Sequence, residues 1–343
     1  MRRHRIAVIP GDGIGPEVVA EALRVVDAAA RAEGFGLDLT PFDLGSDRFL
    51  ATGEVLPDSS LDELSQHDAI LLGAVGDPRV PPGVLEGGLL LRLRQELDLF
   101  VNLRPARLYD GVPSCLADVT PEDLDLVIVR ENTEGLYKRG IDELSAGPGD
   151  AVLEISYNTP AAVERIVRHA FELAAARARS LTLVHKTNVL KRAGGLYQRV
   201  FEEVAEEYPQ VGTAYQHVDA AALLLAAQPR RFQVVVTDNL FGDILSDLTA
   251  ALVGGIGFVG SGNVHPGKVS VFEPVHGSAP DIAGTGRANP IGAVISAGLL
   301  LAHVGEAAAA ERVERAVGAV AGKVAGSELT TRQIGDLIAE AVA

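Results

Sequence analysis

The sequence has one cysteine, Cys115, and no tryptophan among its 343 residues. A single thiol excludes an internal disulfide framework and a cysteine-rich metal site. No uninterrupted apolar run reaches membrane-spanning length, because His303 and Glu306 interrupt the most apolar stretch, AGLLLAHVGEAAAA. The apolar run 6–10 is too short for the core of a signal peptide. We therefore expect a cytoplasmic protein without a membrane segment.

Net positive charge is also lacking. The chain has 46 acidic and 30 Lys or Arg residues, which gives a formal net charge of −16. Binding of nucleic acid requires a basic surface, so we do not expect a nucleic-acid partner. A local group of arginines can still attract a small anionic substrate into a cleft of an acidic protein.

Short β-branched runs alternate with longer patterns of helical spacing, such as that over residues 16–33. This alternation predicts an α/β architecture, in which ligands gather at the C-terminal ends of the strands. The length and the 47% hydrophobic content suffice for two domains, which we expect to be interwoven. The segment LEGGLLLRLRQELDLF predicts one helix, and residues 138–159 predict a loop or a small β-arm. The predicted strands lie in RIAVIPG, HDAILLGAVG, LDLVIVREN, SLTLVHKTN and FQVVVTDN.

The first turn, Gly11-Asp12-Gly13-Ile14-Gly15, looks like the glycine fingerprint of a dinucleotide-binding fold. That fingerprint is G-x-G-x-x-G, and here the third glycine comes one residue early and is followed by Pro16. Proline is favoured at the first position of a helix, where its missing N–H costs nothing. The turn therefore predicts a strand-to-helix connection and not a Rossmann fold.

Acidic residues in TDNLFGDILSDL suggest a metal site. Asp243 and Asp247 lie four residues apart and so share one face of a predicted helix, although two like charges at this spacing could also form a solvated surface. Carboxylates suit Mg²⁺ or Mn²⁺, and Asp219 is a candidate third ligand.

Three arginines at the ends of predicted elements suggest an anionic substrate. Arg94, Arg104 and Arg130 lie in LRLRQ, NLRPAR and VIVREN. Guanidinium groups bind carboxylates in a bidentate manner, so the set fits a di- or tricarboxylate. Lys186 and Tyr137 each follow a predicted strand and are a candidate acid–base pair.

Taken together, the motifs resemble those of the β-decarboxylating dehydrogenase family, which includes isopropylmalate, isocitrate, homoisocitrate and D-malate/tartrate dehydrogenases. The resemblance covers nearly the whole chain. It implies the fold of that family: two interwoven α/β domains, not a Rossmann fold, with residues 1–99 and 252–343 in a large cofactor-binding domain. Residues 100–251 would form a small domain with the arm and the dimerisation interface. The motifs are IPGDGIGPE, GAVGDP, NLRPARLY, VRENTEGLY, HKTNVL, TDNLFGDILSD, FEPVHGSAPDIAG and ANP.

By this resemblance, NAD is held by the loop HGSAPDIAGTGRANP. Asp281 would accept hydrogen bonds from the adenosine ribose and repel a 2′-phosphate, which favours NAD over NADP. NADP-using relatives resemble HGTAPKYAG, with Lys and Tyr at the positions of Asp281 and Ile282. Asn289 would contact adenine. The implied cofactor-binding residues are His276, Gly277, Ser278, Ala279, Pro280, Asp281, Ile282 and Asn289.

The resemblance also assigns the other residues. The three arginines match the clamp on the substrate carboxylates, and Asp219, Asp243 and Asp247 match the ligands of Mg²⁺ or Mn²⁺. Lys186, with Asp219, would receive the proton of the C2 hydroxyl while hydride passes to NAD. Tyr137 would then protonate carbon after loss of CO₂. Lys186 and Asp219 would come from the second subunit of a homodimer with shared active sites.

The C3 substituent of the substrate depends on the helix before Arg94. Isocitrate enzymes place serine and asparagine six and four residues before this arginine, where this chain has Gly88 and Leu90. Burial of a carboxylate against leucines without a partner is costly, whereas burial of an isopropyl group is favourable. Oxidative decarboxylation of (2R,3S)-3-isopropylmalate to 4-methyl-2-oxopentanoate, in leucine biosynthesis, is therefore expected. The expected contacts are Glu86, Leu90, Leu91 and, from the partner, Val189.

Alternatives remain open on the sequence alone. The stretch VRENTEGLYKRGIDEL is closer to homoisocitrate and isocitrate enzymes than to the VREGTEGPY of isopropylmalate enzymes. A paralogue that acts on another 3-substituted malate, on homoisocitrate or isocitrate, or on D-malate or tartrate fits the same motifs. A non-catalytic regulatory subunit is a further class, but Tyr137, Lys186 and the three aspartates are all present.

Overall fold

The computed structural model describes residues 2–138 and 154–343, so the greater part of the predicted β-arm lies outside the described residues. The strands are, in chain order, β1 (Arg3–Gly11), β2 (Gly36–Pro41), β3 (Ala69–Ala74), β4 (Val101–Arg107), β5 (Asp125–Glu131), β6 (Leu181–His185), β7 (Thr213–His217), β8 (Val234–Thr237), β9 (Gly260–Val264) and β10 (Val271–Pro274). The helices are α1 (Gly15–Glu33), α2 (Ser46–Thr52), α3 (Asp58–Leu64), α4 (Val84–Gly88), α5 (Leu90–Glu96), α6 (Pro160–Ala176), α7 (Lys191–Ala205), α8 (Val218–Ala227), α9 (Asn239–Leu252), α10 (Ile291–His303), α11 (Ala307–Val324) and α12 (Thr331–Val342). Short 3₁₀ turns lie at Pro229–Arg231 and Ile256–Phe258.

The chain forms two compact units, each made of separate pieces of sequence. The first unit comprises residues 1–99, 107–121 and 250–343, and the second comprises 100–106 and 122–249. The division inferred from the family resemblance stays a prediction; it differs from these units in grouping residues 107–121 and 250–251 with the small domain.

In the first unit the strand order is β2-β1-β3-β10-β9. β1 pairs in parallel with β2 and β3, and β10 pairs in parallel with β3 but antiparallel with β9. The antiparallel pair distinguishes this sheet from the all-parallel Rossmann arrangement. All six residues of β3 are buried, as expected for a central strand covered on both faces.

Helix α1 illustrates how local sequence fixes the elements of this unit. Pro16 lies in its first turn, and Gly34 ends it in the left-handed conformation with its N–H donated to the carbonyl of Ala30. The apolar face predicted for residues 16–33 is buried, with Val18, Val19 and other side chains in the core. Helix α12 starts with a capping box in which the Thr330 and Gln333 side chains satisfy each other's backbone N–H groups.

In the second unit the strand order is β4-β5-β8-β6-β7. β5 pairs in parallel with β8, and β6 pairs in parallel with both β8 and β7. The C-terminal ends of these parallel strands therefore meet at one edge, where polar residues follow each strand. The α/β class and the strands predicted from the sequence are confirmed. No helix in the described ranges is both long and apolar enough to cross a membrane.

Candidate functional site

The C-terminal end of β5 carries a buried guanidinium. Arg130 is 1% exposed, and its Nε and Nη2 atoms donate to Asn239 Oδ1 at 3.0 and 2.8 Å. Its Nη1 donates to a carboxylate oxygen of Asp243, and its Cζ lies 5.2 Å from the centroid of the Tyr137 ring. The second unit therefore brings together three of the predicted site residues: Arg130, Tyr137 and Asp243.

Asp243 remains ionised at neutral pH. Its other carboxylate oxygen accepts a hydrogen bond from the Tyr137 hydroxyl at 2.7 Å. Burial is the largest single influence and raises its pKa, but Arg130, the Tyr137 hydroxyl and Arg104 together hold the pKa below the ordinary value. A half-buried carboxylate that keeps its charge is a suitable ligand for a hard divalent cation.

Arg104 lies on β4 in the second unit and is also buried. Its Nε donates to Asn102 Oδ1 at 2.7 Å, two residues earlier on β4, where both side chains lie on the same face of the strand. Such amide contacts leave a guanidinium its full positive charge, since the amide oxygen is neutral.

Lys186 and Asp219 form a second group. The Lys186 Nζ lies 2.5 Å from Asp219 Oδ1, and this hydrogen bond is the main reason that the pKa of Asp219 is lowered. Asp247 lies one turn after Asp243 on α9 and is exposed. Within residues 2–138 and 154–343 of one chain, no three His, Cys, Asp or Glu side chains are placed to hold a metal ion. The three-aspartate metal set stays a prediction, which requires Asp219 from a second copy.

A buried contact between His185 and Asp238 lies at the C-terminal ends of β6 and β8. Asp238 accepts from the N–H of Phe241 at 2.8 Å at the start of α9, and its Oδ2 lies 3.4 Å from the His185 Nε2. Burial raises the pKa of Asp238 to about 6 and lowers that of His185 to about 4. Because the folded protein keeps the Asp238 proton to a higher pH than the unfolded chain, the stability linked to this group is lost as the pH rises from about 4 through about 6.

Two acidic residues that the sequence analysis did not single out fix the turn that precedes Tyr137. Glu131 accepts from Thr133 N and Oγ1 at 2.8 and 2.7 Å and from Glu134 N at 2.9 Å. Burial outweighs these hydrogen bonds and raises the pKa of Glu131. Glu134 in turn accepts from Thr159 N and Oγ1 at 2.6 and 2.9 Å, just before α6. Both carboxyl groups therefore shape the backbone of the RENTEGLY segment.

In the first unit, the segment predicted as one helix is two. Helix α4 ends at Gly88 and α5 begins at Leu90, with Leu89 between them at φ −109° and ψ −75°. Arg94, on α5, is buried, and its Nη2 lies 3.4 Å from Glu273 Oε1, which also accepts from Asn263 at 2.9 Å. The break allows residues on the two helices to face different directions.

The leucines before Arg94 have different surroundings. Leu89 is fully buried in the core, and Leu90 is partly buried against the same core cluster. Leu91 is half-buried and Glu86 is exposed. Leu90 and Leu91 are therefore the leucines of this segment that a ligand could contact, because Leu89 has no exposed surface.

The first glycine turn contacts the predicted cofactor loop. The N–H of Ile14 donates to the Ser278 carbonyl at 2.8 Å. Gly13 has φ +57°, and a Cβ at this position would overlap the same carbonyl oxygen. Asp12, which is buried, accepts from Ser46 N and Oγ at 2.7 Å each and from Gly76 N at 2.9 Å. The turn is a support for neighbouring loops, as expected for a motif that is not a Rossmann fingerprint.

Residues 276–290 combine buried anchors with exposed groups. His276 is buried; burial lowers its pKa, and its Nε2 has no hydrogen-bond partner among the residues that the structure describes. Asn289 Oδ1 accepts from Ile291 N at 3.1 Å, which fixes the side chain at the start of α10. Ala279 has a left-handed φ of +39°. Gly277, Pro280 and Asp281 are exposed, Ser278 is buried, and Ile282 is half-buried.

A cavity of about 250 Å³ lies beside this loop. Gly76, Asp77, Val80, Leu85 and Glu86 are among its lining residues. A Cβ on Gly76 would lie at ordinary contact distances, 3.4 Å from Ser278 Oγ and 3.6 Å from Glu86 Oε1, so its φ of +131°, and not a lack of space, favours glycine here.

Sequence reasoning missed several residues that hold the site together, among them Asn239, Asn102 and Glu273. For Asn239 a signal existed, because it precedes Asp243 by four residues and therefore lies on the same face of α9. For Glu273 no local signal existed, since its partner Arg94 is 179 residues away in the chain.

Comparison with known proteins agrees with the motifs. The isocitrate/isopropylmalate dehydrogenase family matches residues 5–341. The chain is 57% identical to the 3-isopropylmalate dehydrogenase of Thermobifida fusca, over 100% of this chain and 98% of that protein. It is 55% identical to the 3-isopropylmalate dehydrogenase of Mycobacterium avium, over 98% of this chain and 100% of that protein. The crystal structure of isocitrate dehydrogenase from Methylococcus capsulatus matches with a TM-score of 0.86 and 38% identity, over 99% of both chains. The resemblance inferred from the motifs is thereby confirmed, and the chain belongs to the isocitrate/isopropylmalate dehydrogenase family of decarboxylating dehydrogenases.

Proposed function

We propose that this protein catalyses the NAD-dependent oxidative decarboxylation of (2R,3S)-3-isopropylmalate to 4-methyl-2-oxopentanoate, a step of leucine biosynthesis. The observation that carries the choice of substrate is the apolar surroundings of residues 88 and 90. A Cβ on Gly88 would lie 2.8 Å from the Val55 Cβ, and Leu90 packs partly against the core cluster that includes Leu89 and Leu93.

Those surroundings favour an isopropyl group over a third carboxylate. Members of the family that use isocitrate are expected to have serine and asparagine at these two positions. A carboxylate buried here without a polar partner would cost several kcal/mol, whereas burial of a branched apolar group contributes about 1.5–3 kcal/mol. The 55–57% identity to proteins named 3-isopropylmalate dehydrogenase supports the same choice.

The substrate carboxylates are assigned to Arg94, Arg104 and Arg130. All three guanidinium groups are buried, at 5%, 9% and 1% exposure, so an incoming carboxylate would meet them with little screening by water. Arg104 and Arg130 each donate to a neutral amide oxygen, which offsets none of their charge, whereas Asp243 and Glu273 offset part of the charge of Arg130 and Arg94.

The residues fit a divalent cation. Asp243 offers an ionised carboxylate, Asp247 is exposed one turn later, and the pKa of Asp219 is lowered. These three would hold Mg²⁺ or Mn²⁺, with Asp219 from a second copy. When bound, the cation would polarise the C2 oxygen and stabilise negative charge on it as a Lewis acid.

The loop 276–290 fits a dinucleotide. The buried His276 Nε2, which has no hydrogen-bond partner in residues 2–138 and 154–343, is a polar atom that a ligand can satisfy. The exposed carboxylate of Asp281 can accept from ribose hydroxyls and would repel a 2′-phosphate, which favours NAD. NAD supplies the hydride acceptor.

Two side chains would move protons. Lys186 would take the proton of the C2 hydroxyl at Nζ, and Asp219 Oδ1, 2.5 Å away in the same chain, would share it. The Tyr137 hydroxyl would donate its proton to carbon after CO₂ has left. The hydroxyl donates its single proton to Asp243 at 2.7 Å in this structure, so that hydrogen bond would have to break before the proton passes to carbon.

The proposal includes a homodimer with shared active sites. The large apolar side chains of the second unit that are exposed, by 39–68%, include Val189, Leu190, Leu223 and Ile244. Leu223 lies one turn after Asp219 on α8, and Val189 lies three residues after Lys186, so a second copy that covers these side chains would approach both polar groups. The proposed location is the cytoplasm.

The test is NAD reduction by the purified protein with Mg²⁺ or Mn²⁺. The compared substrates are 3-isopropylmalate, isocitrate, homoisocitrate, D-malate and tartrate. We expect the highest kcat/KM for 3-isopropylmalate, and a higher value for another acid would replace the substrate assignment. Tyr137→Phe should lower kcat by about 10²–10⁴-fold if the hydroxyl acts as an acid.

Shared sites can be tested by mixing variants. Lys186→Met and Tyr137→Phe homodimers should each be inactive, whereas hybrids of the two contain one site with both native residues. Activity that returns after the subunits are exchanged supports the shared site. Hybrids that form but stay inactive would contradict it.

A further inference from the structure

The Asn239 side chain accepts two of the hydrogen bonds that Arg130 donates. Its Oδ1 accepts from Nε at 3.0 Å and from Nη2 at 2.8 Å, and its Nδ2 donates to the Glu134 carbonyl at 3.1 Å. The side chain is 1% exposed. The carbonyl of Glu134 requires an N–H donor and the two arginine nitrogens require an acceptor, so the amide has only one orientation that satisfies all three contacts.

Gly242 makes room for the stem of the same arginine. A Cβ at Gly242 would lie 2.5, 2.7 and 3.0 Å from the Cγ, Cβ and Cδ of Arg130. Gly242 is not among the glycines with positive φ, and alanine is favoured over glycine inside a helix by about 1 kcal/mol. The glycine is therefore explained by the arginine that packs on it and not by the backbone of α9.

The remaining donors of Arg130 match a carboxylate. A guanidinium has five N–H groups. Among the described residues, three of them donate to Asn239 and Asp243, which leaves one on each of Nη1 and Nη2. These two N–H groups, one on each terminal nitrogen, can donate charge-assisted hydrogen bonds to a substrate carboxylate.

We propose that Asn239 and Gly242 are positioning residues, which hold Arg130 so that its Nη1 and Nη2 atoms keep one N–H each for a substrate carboxylate. This inference rests on the proposed function. Arg130 already donates one N–H to Asp243. Without the amide, the two hydrogen bonds that oppose that carboxylate would be lost, and the guanidinium would rotate to donate further N–H groups to it that the substrate would then lose.

A double-mutant cycle tests this role. Asn239→Ala should raise the KM for 3-isopropylmalate by about 10–100-fold, since hydrogen bonds to a charged group are lost, and should change the KM for NAD by less than about twofold. In an Arg130→Lys background the same substitution should add less than about threefold, because an ammonium group has no planar fork for the amide to orient. Equal effects in both backgrounds would show that Asn239 acts on the fold alone.

A second variant and a control remove the ambiguity of a folding defect. Gly242→Ala should also raise the KM for the substrate, although alanine suits the helix. Thr249→Val, on the same helix, removes a buried hydroxyl that contacts Ser246 and not Arg130, and should leave both KM values unchanged. If Gly242→Ala behaves as the control does, the stem contact has no role in positioning.

The crystal structure of Asn239→Ala separates this inference from the proposed function. We expect the guanidinium of Arg130 to rotate so that a second N–H donates to Asp243, in addition to the contact already made by Nη1. An unmoved guanidinium would refute the positioning role whatever the substrate is. If none of the five acids is turned over by the wild-type protein, the proposed function fails, and the two structures still decide whether Asn239 places Arg130.

Discussion

Replacement of Gly13 by alanine would test whether the first glycine turn supports the loop that we assign to NAD. Gly13 has φ +57°, and a Cβ there would overlap the carbonyl oxygen of Ser278, which also accepts from the Ile14 N–H at 2.8 Å. The obstacle is backbone, so no side-chain rotamer can relieve it. Either the turn or residues around Ser278 would have to shift.

Two terms set the size of the effect. The left-handed conformation costs a residue with a Cβ about 1–2 kcal/mol relative to glycine. Overpacking against a fixed neighbour adds about 1–3 kcal/mol. Gly34 provides a matched control within the first unit, because it has φ +74° but, apart from its chain neighbours, no described residue has a heavy atom within 4 Å of its Cβ position. Gly34→Ala should therefore show the first term alone.

The assay has two readouts, the free energy of unfolding in urea and the KM for NAD. Gly34→Ala should lose about 1–2 kcal/mol of stability and leave the KM for NAD unchanged. Gly13→Ala should lose about 2–5 kcal/mol and raise the KM for NAD. If the two variants lose equal stability and both keep the wild-type KM, the contact with Ser278 does not matter and the reasoning is refuted.

Three further predictions concern single side chains. Asp238→Asn should raise the free energy of unfolding by about 2–3 kcal/mol near pH 8 and change it little near pH 4, because burial raises the pKa of this carboxyl to about 6. The amide can still accept the hydrogen bond from the Phe241 N–H. Urea titrations at both pH values check this. Leu91→Ala should lower kcat/KM for 3-isopropylmalate about 5–10-fold but not for D-malate, which lacks the isopropyl group, as steady-state kinetics with both acids would show. Asp281→Lys should weaken the preference for NAD over NADP, measured as the ratio of the two kcat/KM values, and an unchanged ratio would remove Asp281 from the cofactor site.

Elements with strong local patterns were predictable from the sequence. The strands in HDAILLGAVG and FQVVVTDN are β3 and β8, and the pattern over residues 16–33 is α1, which starts one residue earlier, at Gly15. In each case a buried face and a terminating residue point to the same structure. The polar residues after the strands also meet as expected, because parallel strands bring their C-terminal ends to one edge.

The break between α4 and α5 could not be read from the sequence. Leucines at Leu89, Leu90 and Leu91 continue a helical pattern without proline, and the two preceding glycines are tolerated inside helices. The core decides the outcome, because Leu89 is drawn fully into the cluster around Leu93 while the helix restarts at Leu90. Tertiary packing thereby overrides a pattern that is locally helical.

The first turn of α9 connects two parts of the proposed chemistry. Asn239, Gly242 and Asp243 are spaced by three and four residues, so all lie on one face of the helix, and that face is turned to Arg130. One rigid turn thus fixes the guanidinium assigned to the substrate and the carboxylate assigned to the cation at a single distance. The acidic pair alone suggested a metal site, and the arginines alone suggested a carboxylate. Arg130 and Asp243 pair with each other in this structure, so a substrate carboxylate and a cation that bind side by side would each take one partner of an ion pair that the same helical turn already holds together.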